Sequence, residues 1–330
     1  VKAFDYHVAT SAADAVATLS GHPGAAFLAG GTNLIDHMKL GVAAPDLLVD
    51  VSRLELTEVE TADGGGVRIG TNVRNSDLAS HPLIRSRYPM LARALLSGAS
   101  GQLRNAATTG GNLLQRTRCV YFQDVTTPCN KRSPGSGCSA VGGYLRYHAI
   151  LGASPECVAV HPSDMAVAMS ALDADVVVEG ADGPRRIPMT EFHRLPGDAP
   201  DRDTVLDHGE LITAVELPAP PTGAVSEYRK VRDRASYAFA LVSVAAELSV
   251  TGAEIATARI ALGGVAHKPW RARRAEEVLV GAPAEPETFL AAADAELADA
   301  EPFPGNEFKV ELARRTLVAQ LRALTERAWR

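Results

Sequence analysis

What this sequence has little of narrows its possibilities before any motif does. It has four cysteines in 330 residues, too few for a scaffold built on disulfides. No apolar run approaches the length that spans a bilayer. The surplus of positive charge that a phosphate backbone demands is also missing: the formal net charge is -6, which argues against a nucleic-acid partner. The first residues, "VKAFDYHVATSAADAV", lack the charged-then-apolar order of a secretory signal. The chain is therefore expected to carry no export address of its own, though a signal-bearing partner could take it along. It shows no internal repeat and no low-complexity tail. What is present is an ordinary globular composition, 46% hydrophobic and 22% charged, in a chain long enough for two or three domains.

The first half alternates helices and strands. "SAADAVATLS" places Ser11 as an N-cap ahead of apolar residues at helical spacing, and "AAFLAG" reads as a short buried strand ending in glycines. "TNLIDHMKLG" is a short helix with Gly41 where a C-terminal cap belongs, followed by the strand "LLVDV". These make a βαβ-like unit, which implies a sheet with helices packed on it. A strand "GVRIG" and one helical stretch over about 75–96 follow. From Gly98 to Cys157 the periodicity fades, and a segment of that length without regular structure is usually functional or disordered. "SDMAVAMSALDADVVVEG" predicts a helix from Ser163 running into a strand. Proline-rich "LPAPPTGAV" is the expected domain boundary. Two β-type runs, "FALVSVAAELSV" and "EIATARIALGGV", and helical patterns from Arg271 onward predict a separate α+β domain.

Two glycine loops carry the first chemical signal. "LAGGTNL" sets Gly30 and Gly31 between a strand and a helix, where side-chain-free backbone N–H groups and the helix dipole can converge on an anion. The loop is neither a Walker A sequence nor the spaced-glycine dinucleotide fingerprint. Taken alone it is most simply a tight turn. A second loop, "ATTGGNL", repeats the chemistry about eighty residues later, with Arg104 and Asn105 just before it, so the pair could grip the two phosphates of one dinucleotide. Asp164 stands at a helix start, where an ordinary cap is the simplest role. "YRKVRDRASYAF" holds Arg229, Lys230, Arg232 and Arg234, a solvated strand face or a cationic site. His37, His148 and His161 lie near these motifs and read as surface or structural residues.

All four cysteines, Cys119, Cys129, Cys138 and Cys157, follow the second loop. Their spacing is neither a zinc-knuckle pair nor a ferredoxin run. A structural zinc ion, two disulfides and a cubane [4Fe–4S] cluster all stay open on the residues alone. Arg116, Arg118, Lys131 and Arg132 are expected to offset the charge of four thiolates.

Together "AGGTNL", "RNAATTGGNLL", "SDMAVA" and "KVRDRASYAFALVSVA" resemble, in order and over nearly the whole chain, the FAD-binding subunit of the molybdenum hydroxylases, the xanthine dehydrogenase and aldehyde oxidoreductase family. The resemblance implies an α+β fold: a PCMH-type FAD-binding domain, as in vanillyl-alcohol oxidase, made of two α/β subdomains over residues 1–220, and a C-terminal α+β domain of the CO dehydrogenase flavoprotein type over 225–330. It implies FAD contacts from Ala26, Phe27, Leu28, Ala29, Gly30, Gly31, Thr32, Asn33 and Leu34, and from Thr108, Thr109, Gly110, Gly111 and Asn112. Asp164, Ile212 and Lys230 are the further expected contacts. "LLQRTRCVYF" and "PCNKRSPGSGCSA" look like the aldehyde oxidoreductase members with their own [4Fe–4S] insertion, here about 116–160, and all four cysteines are by that likeness iron ligands. Hydroxybenzoyl-CoA reductases carry a related insertion.

The implied function is an oxidoreductase subunit that passes electrons through FAD to an acceptor. A molybdenum-cofactor subunit and a [2Fe–2S] subunit would be its partners, in a heterotrimer or a multiple of one, without nucleic acid or membrane span. No catalytic acid or base is expected in this chain. Its location would be cytoplasmic, or periplasmic if exported with a partner. The rival readings are a self-sufficient flavin oxidase or reductase of the same fold, the flavin subunit of a hydroxybenzoyl-CoA reductase, and a cluster-bearing scaffold without turnover.

Overall fold

Short connections between small elements build the N-terminal unit. In the computed structural model, which describes residues 1–328, strands Asp5–Val8, Ala25–Leu28 and Leu47–Asp50 form a parallel sheet with the last strand in the middle. Parallel neighbours need crossovers, and helices Ala12–Ser20 and Leu34–Leu40 supply them. The Ser11 side chain accepts from the Asp14 N–H at 3.0 Å, satisfying one of the unpaired donors of the first turn. Gly41 ends the second helix at φ 75°, a conformation closed to most side-chain-bearing residues. Strand Asp5–Val8 was not anticipated. It is an edge strand of only four residues, "DYHV", too short for its alternation to stand out and exposed over its first half.

A five-stranded antiparallel sheet follows, ordered Val59–Thr61, Val67–Gly70, Leu211–Leu217, Asp175–Gly180, Gly183–Pro188. The expected single helix over 75–96 is three: Asn75–Ser80, Pro82–Arg87 and Pro89–Ser97. Each of the later two begins on a proline, which cannot continue a hydrogen-bonded helix and holds its predecessor extended, as His81 is at φ −61°, ψ 131°.

The third sheet, Trp270–Arg271, Glu254–Gly263, Val242–Thr251, Val225–Val231, is antiparallel and backed by helices Arg273–Leu279, Pro286–Leu297 and Phe308–Ala328. Helix Asp164–Ala171 joins it to the second sheet. All eight of its residues are buried, as befits a sequence apolar on every face. It shares one core with Ile69 and Val176 of the five-stranded sheet and with Tyr228, Ala245 and Ala261 of the four-stranded one.

Between these units runs the segment from Gly98 to Cys157, with short helices Gly101–Ala106, Thr109–Leu113 and Val120–Gln123 and otherwise turns. Its own apolar cluster is only Ala140, Leu145 and Val158 with a few partly buried neighbours. Among the described residues no helix is long and apolar enough to cross a membrane.

Candidate functional site

A cavity of about 560 Å³ opens where the three units meet, within the size range of small-molecule and cofactor sites. Thr32 and Asn33 enter it from the first glycine loop, Gly111 and Asn112 from the second, Asp164 from the buried helix, and Lys230 from the four-stranded sheet. The remaining expected residues stand behind this wall. Ala26, Phe27 and Leu28 are the strand leading in, Ala29, Gly30 and Gly31 are the turn, and Leu34 opens the helix. Thr108 caps Thr109–Leu113, its Oγ1 accepting from Gly111 N at 3.2 Å, while Thr109 and Gly110 are buried. Ile212 does not line the cavity. It lies beneath Gly110, where a Cβ on that glycine would sit 3.7 Å from its own.

The two loops touch through backbone. A Cβ on Gly30 would collide with the carbonyl of Ala106, so glycine there is what lets the loops close on each other. Gly110 N and Thr109 N bond to Thr71 O and Val73 O at 3.0 and 2.9 Å, pinning the second loop to the chain just past strand Val67–Gly70 of the five-stranded sheet. Asn33 Oδ1 accepts from Arg116 N at 3.0 Å, and Asn112 donates to Asn75 Oδ1 at 2.7 Å while accepting from Ser163 Oγ and Gln115 Nε2. These bonds leave Asn33 Nδ2 and Asn75 Nδ2 buried with no partner, both on cavity-lining residues. Buried donors without acceptors are costly, and an oxygen-rich ligand would satisfy them.

The cationic run proves to be split by strand alternation. Lys230 turns inward, its side chain only 4% exposed, and pairs with Asp164 at 2.7 Å while donating to Ser97 O at 3.1 Å. Tyr228, on the same face, donates to the other Asp164 oxygen at 2.5 Å. Burial first, and then Asp164, hold the Tyr228 phenol well above its ordinary range. Arg232 also bonds Ser97 O, whereas Arg229 bonds Gln320 on the C-terminal helix and Arg234 the carbonyl of Tyr237. Asp164 is thus the acceptor of a buried pair and not merely a helix cap. Ser163, one residue earlier, is the cap, accepting from Ala166 N at 2.9 Å.

The four cysteines line one small chamber and form no disulfide. Cys129 and Cys138 face each other across an isolated antiparallel bridge, and Cys157 sits in a turn with Ser154. Burial pushes the Cys119 and Cys157 thiols up to about 11, in Cys157 against the opposing charge of Lys131. Among the described residues, no three His, Cys, Asp or Glu side chains are placed to hold a single metal ion. The expected ring of four cations is corrected by the geometry, for only Lys131 reaches the chamber. Arg116 bonds Asp203 at 2.7 Å, Arg118 stacks over Phe239, and Arg132 donates to the carbonyls of Tyr121, Phe122 and Thr127. Each guanidinium finds a nearer acceptor or aromatic face than the thiols.

Cys119 and Thr117 line both the chamber and the large cavity. The three histidines are all buried. His37 is brought down to about 4 by burial and then Arg118. The His148 Nε2 lies 3.2 Å from Cys119 Sγ, and burial followed by Lys309 lowers its pKa to about 4. His161 lines the cavity and packs against His193 with the rings tilted at 52°, their centroids 4.1 Å apart.

Sequence reasoning missed the clamp behind the chamber. Asp203 bonds Lys131, whose Nζ also donates to Pro200 O at 2.6 Å, and Arg116 completes the group. Burial alone would raise the Asp203 carboxyl, but Lys131 and Arg116 hold it well below the usual carboxylate range. Asp203 lies in an irregular stretch with no motif, so only the pairing reveals it.

Two family profiles match. "FAD binding domain in molybdopterin dehydrogenase" covers residues 2–220, and "CO dehydrogenase flavoprotein C-terminal domain" covers 195–324. The aldehyde oxidoreductase FAD-binding subunit PaoB of Escherichia coli K12 is 53% identical over 323 residues, 97% of this chain and 98% of that one. The glyceraldehyde dehydrogenase medium chain of Sulfolobus acidocaldarius is 32% identical, over 84% of this chain and 81% of its own. Among solved structures, a chain of the carbon monoxide dehydrogenase of Hydrogenophaga pseudoflava superposes with a TM-score of 0.76 at 29% identity, covering 98% of both chains.

Proposed function

Since the chain belongs to the FAD-binding medium subunits of the xanthine dehydrogenase and molybdenum hydroxylase family, we propose that it serves an aldehyde-oxidising complex and carries a [4Fe–4S] cluster beside its flavin. Membership makes it an electron-transfer subunit of an oxidoreductase, with a PCMH-type FAD domain and a C-terminal α+β domain of the CO dehydrogenase flavoprotein type. The proposed division at 220–225 is supported by the change of sheet between Leu217 and Val225.

The observation that carries the reading is the shared wall. A cavity with unpartnered amide donors and a four-thiol chamber meet at Cys119. The first suits FAD, with its diphosphate against the first glycine loop and the unpartnered Asn33 and Asn75 amides. Thr32, Asn33, Gly111, Asn112, Asp164 and Lys230 would make direct contact, and the other expected residues would act from behind. Bound there, FAD supplies one- and two-electron chemistry. The chain's own part is to orient the group, to keep the Asp164–Lys230 charge pair beside it and to exclude water from the buried side.

Four thiols converging on one chamber, none of them in a disulfide, suit a cluster whose ligands surround it from four sides. A lone zinc ion needs its ligands much closer together than a cubane cluster does. Cys119, Cys129, Cys138 and Cys157 would be the ligands, with the cluster as a one-electron carrier. The segment has only a small apolar cluster of its own, so its order would depend on the metal. The aldehyde substrate class is carried over from the 53% identical relative, and a molybdenum-cofactor subunit and a [2Fe–2S] subunit are the proposed partners.

Anaerobic purification with its co-expressed partners tests the reading. About four irons, four sulfides and one FAD per chain are expected, and Cys129→Ser should lose the iron while keeping most of the flavin. One zinc without iron, or two disulfides in anaerobic protein, would remove the cluster and leave the flavin assignment standing. Aldehyde turnover by this chain alone with a dye acceptor would overturn its role as the electron-transfer member.

A further inference from the structure

His148 is the one side chain that hydrogen-bonds a cysteine sulfur among the described residues, with Nε2 3.2 Å from Cys119 Sγ. The other ring nitrogen, Nδ1, is buried without any partner. A neutral imidazole has one N–H, and placing it on Nδ1 would bury an unsatisfied donor and turn a lone pair toward the sulfur. The proton therefore belongs on Nε2 when Cys119 is a metal-bound thiolate, and the sulfur accepts.

The backbone that carries the ring is held from outside the cysteine segment. The His148 carbonyl accepts from Lys309 Nζ at 2.7 Å and from Asn306 Nδ2 at 3.3 Å. Both donors are fully buried, and Lys309 also bonds Gly264 O, in the wall of the large cavity. A C-terminal-domain lysine thus anchors the backbone from which the imidazole reaches one particular thiol. That thiol is the only one of the four to line both cavities.

We propose that His148, positioned by Lys309, tunes the reduction potential of the cluster through an N–H···S bond to Cys119, the ligand that faces the flavin cavity. This rests on the cluster reading given above. A hydrogen bond to a ligand sulfur stabilises the more negative, reduced state and so raises the potential. His148 is a positioning residue here, for it acts only through Cys119.

The test uses the assembled holoenzyme. Iron, sulfide and FAD are assayed first, and the cluster midpoint is then measured by EPR-monitored redox titration in wild type, His148→Leu and His148→Gln. Leucine removes the N–H and should lower the ratio of reduced to oxidised cluster at a fixed potential about tenfold, a shift of about 59 mV for one electron. Glutamine keeps an N–H and should restore part of the shift. A leucine variant with full iron and the wild-type midpoint overturns the inference while leaving the cluster reading intact. Wild-type protein without iron sinks both. Should the leucine variant fail to hold its cluster, pulsed EPR of reduced wild-type protein labelled with 15N-histidine decides. Coupling to a ring nitrogen is expected, and its absence refutes the bond.

Discussion

At Gly30 a single hydrogen atom decides whether two loops eighty residues apart can meet, because a Cβ there would strike the Ala106 carbonyl. Backbone cannot yield as a flexible side chain can. Gly30→Ala is therefore expected to part the loops and to lower FAD content several-fold, with the chain still folded by circular dichroism; full flavin content would refute the contact. Lys230 presents the opposite case, a charge that must not be left alone. Removing one member of a buried pair strands the other, which costs about 3–5 kcal/mol. Lys230→Met should lose about that much in urea denaturation, and the double variant with Asp164→Asn should lose less than the sum of the two singles. Strict additivity would mean that the pair is not coupled.

Helix Asp164–Ala171 is the element on which the cavity is hung. Ser163 does two things at its start, accepting from Ala166 N and donating to Asn112 of the second glycine loop at 2.5 Å. Ser163→Ala removes both bonds. A lost N-cap costs about 1 kcal/mol, and the freed Asn112 should weaken flavin retention as well. The expected signature is a modest fall in stability with a larger fall in FAD occupancy on dilution. Stability lost with unchanged retention would confine Ser163 to capping.

For the whole molecule the buried histidines set the acid limit. Burial lowers His193 and His267 to about 4 and His161 further still, whereas an unfolded chain protonates histidine near pH 6.5. Between about pH 6.5 and 4 the unfolded state binds more protons, so stability is complete above that window and drains away as pH falls through it. Each histidine contributes at most about 1.4 kcal/mol per pH unit. Asp203, held low by Lys131 and Arg116 against its burial, adds a second loss below about pH 4, where the unfolded carboxylate takes its proton. Denaturant midpoints measured from pH 7.5 to 4.5 should fall steadily. A flat profile from pH 7 to 5 would show that these histidines ionise freely in the folded state.

Local chemistry was legible in the sequence by itself. Ser11 as a cap, Gly41 as a stop, the all-round apolar helix after Ser163, the two glycine loops and the crowding of cysteines behind the second all follow from rules that act over a few residues. The prolines at 82 and 89 are equally visible, and each starts a new helix where apolar spacing alone predicts one. Tertiary structure alone decided which groups face each other. Lys230 meets Asp164 across 66 residues, Lys131 meets Asp203 across 72, and His148 meets Cys119 across 29. The three arginines assigned to the thiolates turn instead to a carboxylate, a phenyl ring and carbonyls. In the aperiodic segment no repeat of 2 or 3.6 residues fixes where a side chain points, so its partners depend on how the three sheets close around it.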